Sequence, residues 1–466
     1  MNQYWKIAVI GSGPAGFYAA GELLRQKSWE IKVDMFERLP TPFGLVRGGV
    51  APDHQKIKSV QKIYTRIAEN ENYRFFGNVE FGRDIYRADL MEIYDAVIYS
   101  VGSPTDRKLG IGGENLSGSH SATEFVAWYN GHPDFCDYKF DLSARNAFVI
   151  GIGNVALDVA RVLAKTPQEL EKTDIADYAL EALRTSQLED IWLLGRRGPL
   201  QAAFSPAELR EFLELAEADV IVEKNELELD AESQKILENN ANNDTKKNIE
   251  ILKKISEKEV SGKKRRVHII FLTSPVEISG NQKVEKISMV RNQLVKMEDG
   301  SLVPQASAEI NEAAAGLVFR SIGYYGKPLS DLPFDQKTGT IPNECGQVKD
   351  PEDGNILRER EYVAGWIKRG PSGVIGTNKQ DAVETVHRML GTFLKGKMEA
   401  GKNCTNLDIV SLLENRKVEY VSFSDWKLLD AHETEAGQKK GRPRVKITSK
   451  ADMLSVIRQK KQLKIQ

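Results

Sequence analysis

A short apolar run that breaks into a glycine-rich turn occurs twice in this chain, and that repetition limits the fold more than any other feature. The first copy is Lys6-Ile7-Ala8-Val9-Ile10-Gly11-Ser12-Gly13-Pro14-Ala15-Gly16; the second is Asn146-Ala147-Phe148-Val149-Ile150-Gly151-Ile152-Gly153-Asn154-Val155-Ala156. Each reads as a strand, a tight turn and the start of a helix, the first helix being expected over Phe17 to Gln26. The first glycine permits the turn, the second lets backbone N–H groups approach a pyrophosphate, and the third small residue lets the helix pack on its strand. Phosphates would sit at the positive end of each helix. Gly11, Gly13, Pro14, Ala15 and Gly16 are therefore candidates to bind one dinucleotide, and Gly151, Gly153 and Val155 to bind another.

The residues that end the next strand of each unit distinguish the two nucleotides. After the first turn, Trp29 to Phe36 alternates and ends in Glu37, about twenty residues beyond the last glycine, where a ribose-binding acid belongs. A carboxylate there accepts bonds from ribose hydroxyls and repels a 2′-phosphate, which points to the adenosine half of FAD or NAD. After the second turn, Asp190-Ile191-Trp192-Leu193-Leu194-Gly195 is followed by Arg196 and Arg197. Guanidinium forks match a phosphate bidentately, so the second nucleotide reads as NADP.

Composition narrows the class. A chain of 466 residues with 41% apolar and 28% charged residues has room for two or three domains with a sizeable core. A formal net charge of −1 creates no global field for nucleic acid or a membrane surface. The three cysteines, Cys136, Cys345 and Cys404, are far apart and form no C-x-x-C, which argues against a disulfide framework, a metal or iron–sulfur site, and a redox dithiol. No apolar stretch approaches a membrane span, and the first strand begins too early to leave room for a signal or transit peptide. A cytoplasmic protein is expected.

Between these landmarks, Arg38 to His54 is dense in Pro and Gly yet carries large apolar side chains, as a loop lying against a flat apolar group such as a flavin ring would. A helix with Ile57, Val60, Tyr64 and Ile67 at helical spacing follows. His54, at its start, reads from spacing alone either as a partly exposed histidine or as a site residue. Tyr94 to Gly102 and Gly316 to Gly323 read as strands ending in glycine, and a long helical insertion is expected over Thr166 to Ser186. Ser205 as N-cap, Pro206 at the first helical position and Glu208 three residues on predict a capping box, a sufficient structural role for Glu208. Glu223 to Arg266 is heavily charged, with a helix-like stretch at Ile249, Leu252 and Ile255; strand-like Val267 to Leu272 and Lys286 to Leu294, with a turn at Glu298-Asp299-Gly300, follow it and complete the second domain. The basic runs Lys263 to Arg266 and Lys439 to Arg444 read as solvated turns or as docking patches for an acidic partner. Past Gly323, a strand at Glu361 to Trp366 and a turn at Gly370 to Asn378 open a helix over Asp381 to Leu394. The stretch from Asn406 to Gln466 reads as a peripheral extension.

The two turns, Phe43-Gly44-Leu45-Val46-Arg47-Gly48-Gly49-Val50-Ala51-Pro52-Asp53-His54, Arg196-Arg197-Gly198-Pro199 and Gly365-Trp366 through Thr377 together resemble adrenodoxin reductase and its bacterial ferredoxin–NADP reductase relatives over nearly the whole chain. The resemblance implies an α/β fold of two Rossmann-like dinucleotide-binding domains, the NADP domain (106–325) inserted into an FAD domain made of 1–105 and 326–405, with 406–466 beyond. It implies electron transfer between NADPH and a ferredoxin or similar small iron–sulfur carrier. His54 matches the family's active-site histidine and Glu208 the carboxylate near the nicotinamide, where Glu208 also counts as a cofactor contact. Asn154, Arg196 and Arg197 match NADP contacts; Arg38, Leu45, Trp366, Gly373, Val374, Ile375 and Thr377 fall in the flavin-binding motifs. Thioredoxin reductase-like enzymes carry a C-x-x-C that this chain lacks. They and the flavoproteins resembling the small subunit of glutamate synthase usually have Gly-Asp where this chain has Gly365-Trp366. Two alternatives stay open: an NADPH-dependent oxidase or quinone-type reductase without a ferredoxin partner, and a non-catalytic flavin-binding subunit.

Overall fold

The strand Trp5–Ile10 is apolar almost throughout and nearly all buried, as a central strand covered on both faces must be. In the computed structural model, which describes residues 4–354, 356–394 and 408–465, it lies in a seven-stranded sheet. The order across that sheet is Asn343–Glu344, Gln347–Lys349, Leu357–Val363, Ala96–Tyr99, Trp5–Ile10, Ile31–Glu37 and Tyr73–Gly77. The last five run parallel, so the chain's two ends meet where Leu357–Val363 pairs with Ala96–Tyr99. Alternation along Trp5–Ile10 divides the core. Ile7 and Val9 face the helices Pro14–Leu24 and Thr377–Leu394 through Phe17, Ala20, Met389 and Phe393, while Ala8 and Ile10 face Phe36, Tyr94 and Tyr99.

A second sheet is built from 119–320. Its six strands, in the order Ser119–Ser121, Leu317–Arg320, Asn146–Ile150, Asp190–Leu194, Arg265–Ile270 and Ala218–Ile221, are all parallel. The chain crosses between the sheets at Thr105–Asp106 and Tyr324–Tyr325, and these two crossings pair with each other as an antiparallel ribbon, closed by Arg107 N–H on the Gly323 carbonyl at 3.0 Å. Both turns therefore sit at the carboxyl ends of their sheets, where open α/β folds bind ligands. Among the described residues no helix is long and apolar enough to cross a membrane.

Several expectations change. The insertion at Thr166 to Ser186 is two short helices, Pro167–Leu170 and Asp177–Arg184, because Thr166 caps the first and a turn ends it at Leu170. The charged segment holds the helices Ala231–Asn239 and Asn243–Ser256, with Ile249, Leu252 and Ile255 buried. A three-stranded antiparallel sheet, Thr273–Ser279, Lys286–Lys296 and Leu302–Ala314, contains a third strand that the sequence does not announce. Its side chains are mostly exposed, so no apolar alternation marks it.

The C-terminal stretch is not peripheral. Trp426, Leu429, Met453 and Ile457, from the helices Phe423–Lys439 and Lys450–Ile465, join the same core face as Ile7 and Val9. Neither basic run is wholly a solvated patch. Arg265 is buried and donates to the Leu163 and Lys165 carbonyls, while Arg266 grips Asp190 bidentately at 2.6 Å. Arg442 is buried against the Thr173 and Ile175 carbonyls and Asp177. Cys404 and the expected boundary at 405/406 lie outside the described residues.

Candidate functional site

Both turns make the same opening. Gly11 has φ +101° and Gly151 +130°, and a Cβ on either would stand 2.6 Å from the Ser100 carbonyl oxygen or 2.2 Å from that of Ser321, so only glycine fits. A Cβ on Gly13 or Gly153, by contrast, would meet nothing within 4 Å. Those two glycines cap the helices Pro14–Leu24 and Asn154–Ala164, so Pro14, Ala15 and Gly16 lie in the first turn of one helix and Asn154 and Val155 in that of the other. An open cradle faces each positive helix end, the fit a pyrophosphate requires.

Glu37, at the end of its strand, reaches back over the first turn: its carboxylate accepts from Ser12 Oγ at 2.7 Å, Ser12 N–H at 3.2 Å and Leu39 N–H at 3.1 Å. Arg38 instead pairs with Asp134, at 2.6 Å. Arg196 and Arg197 stand side by side, and among the described residues neither has a carboxylate within ion-pair distance. Burial and the adjacent Arg196 charge both push Arg197 below the ordinary arginine range. Two uncompensated guanidiniums suit an anionic ligand.

A cavity of about 1180 Å³ runs from this pair along Gly151 to Val155, past the crossing ribbon, to Trp366, Pro371 and Gly373 of the first domain. Trp366 begins a short helix after Gly365, and its buried indole N–H has no partner. Its ring centroid is 5.0 Å from that of Tyr324 on the ribbon. In the adjoining loop Gly373 has φ +76°, Val374 is 59% exposed, and Thr377 Oγ1 accepts from the Val374 N–H at 3.2 Å. Ile375 packs partly against the core. An orphaned donor on the cavity wall and an exposed apolar loop fit a bound ring system. In the earlier Pro/Gly loop, the expectation that the apolar side chains face a flavin needs correction. Phe43 and Val46 are buried in protein, Phe43 among Phe17, Tyr64, Phe423 and Trp426, whereas Leu45 remains 39% exposed.

His54 anchors a buried charge cluster joining the two domains. It caps the helix Gln55–Lys58, and its Nε2 lies 3.0 Å from Glu211 Oε2 and 3.5 Å from Glu208 Oε2, with Nδ1 3.9 Å from Asp158. Arg161, fully buried on the helix Asn154–Ala164, reaches Asp53 at 2.8 Å, Asp158 at 2.7 Å, Glu211 at 3.2 Å and Glu208 at 3.5 Å. Lys165 adds a 2.6 Å contact to Asp53. Burial alone would lower the His54 pKa, but the Glu211 hydrogen bond and the Asp158 and Glu208 charges outweigh it and Arg161, so the imidazole sits above its ordinary value. Burial and then Asp158 raise Glu208 to about 7, against the pull of His54 and Arg161. The donor atoms of His54 and its neighbouring acids are close enough to hold a cation, but Arg161 and Lys165 already supply positive charge there.

The capping box expected at Glu208 is only half formed. Ser205 Oγ accepts from the Glu208 N–H at 3.4 Å, but the Ser205 N–H goes to Asn154 Oδ1 at 2.7 Å, which frees the Glu208 carboxylate to face His54 and Arg161. The carboxylate nearest His54 is Glu211, which the sequence reading missed along with Asp53, Asp158, Arg161 and Lys165. A signal was available. Asp158 and Arg161 are charged residues three apart in an otherwise apolar helix, and Glu208 and Glu211 repeat that spacing. Arg107 and Lys108, also missed, line the cavity from the ribbon.

Known proteins are similar to this chain in sequence and in fold. Residues 5–287 match the sequence pattern of the family described as pyridine nucleotide-disulphide oxidoreductase. The NADPH-ferredoxin reductase FprA of Mycobacterium tuberculosis is 45% identical over 466 residues, spanning 98% of this chain and 99% of that protein. The mitochondrial NADPH:adrenodoxin oxidoreductase of Arabidopsis thaliana is 38% identical over 460 residues, 96% of this chain and 94% of that one. The solved structure of Mycobacterium tuberculosis FprA in complex with NADPH has a TM-score of 0.91 at 44% identity, covering 98% of this chain and 100% of that chain.

Proposed function

The chain belongs to the pyridine nucleotide-disulphide oxidoreductase family, in its branch of adrenodoxin reductase-like ferredoxin–NADP reductases, and from that premise we propose how its residues carry electrons between NADPH and a ferredoxin-type iron–sulfur protein. The observation that carries the assignment is the single cavity linking the unpaired Arg196–Arg197 site to Trp366. It gives one NADP molecule a path from its 2′-phosphate anchor to the flavin loop.

FAD held here would supply the exchange between a two-electron hydride donor and a one-electron carrier, with one proton released to solvent for each pair of electrons passed on. We assign Gly11, Gly13, Pro14, Ala15, Gly16, Glu37, Arg38, Leu45, Trp366, Gly373, Val374, Ile375 and Thr377 to FAD. Gly151, Gly153, Asn154, Val155, Arg196, Arg197 and Glu208 are assigned to NADP. Orientation is the main contribution of these groups, because holding donor and acceptor in register removes most of the entropic barrier. The neighbouring carboxylates hold the His54 ring above its ordinary pKa, and Glu208, near 7, holds or gives up a proton at neutral pH beside it. The domain division at 105/106 and 325/326 is drawn at the paired crossings Thr105–Asp106 and Tyr324–Tyr325. A cytoplasmic location completes the reading and is checked by cell fractionation.

The decisive experiment is the visible spectrum of the purified protein under nitrogen. A yellow solution that bleaches with NADPH and regains colour on addition of oxidised ferredoxin is expected. Flavin that NADPH leaves oxidised would overturn the reading.

A further inference from the structure

In the C-terminal segment Arg442-Pro443-Arg444-Val445-Lys446, Arg442 and Lys446 reach residues of the second domain, while Arg444 pairs with Asp430 and Glu433 of the preceding helix. Lys446 goes deepest, its side chain 1% exposed. Its ammonium meets three acceptors that belong to different parts of the molecule. These are the Arg47 carbonyl at 3.3 Å in the first domain, Asn130 Oδ1 at 3.2 Å after the helix Ala122–Tyr129, and Asp174 Oδ2 at 3.4 Å, the last two in the second domain. Asp174 gives its other oxygen to Lys58 at 2.6 Å, and Lys58 ends the short helix that His54 begins. Arg47 is also gripped at its far end, its guanidinium bidentate on the fully buried Glu433 at 2.9 and 2.6 Å, while Glu433 accepts the Ile447 N–H at 2.9 Å. Lys446 thus ties the turn that carries Leu45 to the second domain, and it shares Asp174 with Lys58, which ties the helix that carries His54 to the same carboxylate directly.

We propose that Lys446 is a positioning residue for hydride transfer, a fastener that sets the Leu45–Gly48 turn, beside the His54 helix, against the NADP domain. A buried ion pair is weak evidence for stability, since an apolar side chain of similar volume often packs as well. A side-chain nitrogen with polar partners in three directions does what an apolar group cannot: its hydrogen bonds tie the placement of one domain to that of the other. That placement decides how the nicotinamide end of the cavity meets the flavin loop, where a displacement of about 1 Å can cost ~10²-fold in rate.

The proposal rests on the NADPH–flavin reading above, and its test separates the two. Lys446→Met and Asn130→Ala are prepared as FAD-loaded enzymes, the second leaving Lys446 intact should the first not fold. Anaerobic flavin bleaching at saturating NADPH is expected to slow about tenfold in Lys446→Met and less in Asn130→Ala, with NADP⁺ affinity within about twofold of the parent. Amide hydrogen exchange at Leu45–Gly48 and at the crossing ribbon should rise in both variants relative to the helix Pro14–Leu24. Bleaching within twofold of the parent together with unchanged exchange in both variants would overturn the fastener. So would a rate loss matched by an equal loss of NADP⁺ affinity. Failure of the parent enzyme to bleach would instead overturn the functional reading.

Discussion

Replacing Arg197 with alanine should raise the half-saturating concentration of NADPH while leaving that of NADH almost unchanged, and the surroundings of the side chain set the scale. Arg197 is partly buried and Arg196 exposed, so the phosphate contacts of Arg197 are the less screened by solvent. Charge-assisted hydrogen bonds of this kind contribute about 1.5–3 kcal/mol, or roughly 10–150-fold in affinity. The exposed Arg196 should yield only about 1.5–5-fold after screening. Removing either should not destabilise the fold, because among the described residues neither guanidinium has an acidic partner, and losing one relieves repulsion on the other. The assay is anaerobic flavin reduction at varied NADPH and NADH, paired with a thermal melt. An equal loss for both nucleotides would refute the 2′-phosphate assignment, and a lowered melting temperature would show that the arginines serve the fold instead.

Three further perturbations probe the His54 cluster. Glu208 has a folded-state pKa raised to about 7 from the ordinary 4.5, so the folded protein holds the extra proton and loses stability as pH rises between those values. Glu208→Gln should therefore melt above the parent at pH 8, by about 1–3 kcal/mol after allowing for its partial exposure, and level with it at pH 4. The same difference at both pH values would be inconsistent with the titration. Arg161→Met leaves Asp53, Asp158, Glu208 and Glu211 without their shared buried cation and should cost about 3–5 kcal/mol in a denaturant titration; a loss under ~1 kcal/mol would mean the acids are protonated or hydrated. Asn154→Ala removes the acceptor of the Ser205 N–H, at a net cost below the ~1–2 kcal/mol of a stranded N–H, because it lets Glu208 swing back to accept that N–H and complete the cap. Its apparent pKa, followed by the pH dependence of stability, should fall toward the ordinary value, and an unchanged pKa would count against the exchange.

Local chemistry made much of this protein legible. The two glycine turns are readable because each is dictated by backbone geometry within a few residues, and Glu37 against Arg196 and Arg197 because strand ends lie at a set distance from their turn. The basic runs misled for the reason that the turns did not. Whether Arg442 or Arg265 meets water or a buried carbonyl depends on what another part of the chain brings to it. The exposed strand Leu302–Ala314 went unseen because a strand with little to bury leaves no periodic trace.

Glu208 shows the division most clearly. Its place three residues after a serine N-cap, in the first turn of a helix, is a local relation that any chain with this spacing shares. It took the packing of distant segments to bring Asn154, fifty-one residues before Ser205, onto the cap's N–H and to leave the Glu208 carboxylate in a low-dielectric junction with His54 and Arg161. Hydrogen bonds within one turn follow from spacing; the competition for them, and the burial that moves a pKa, depend on long-range packing that spacing does not encode.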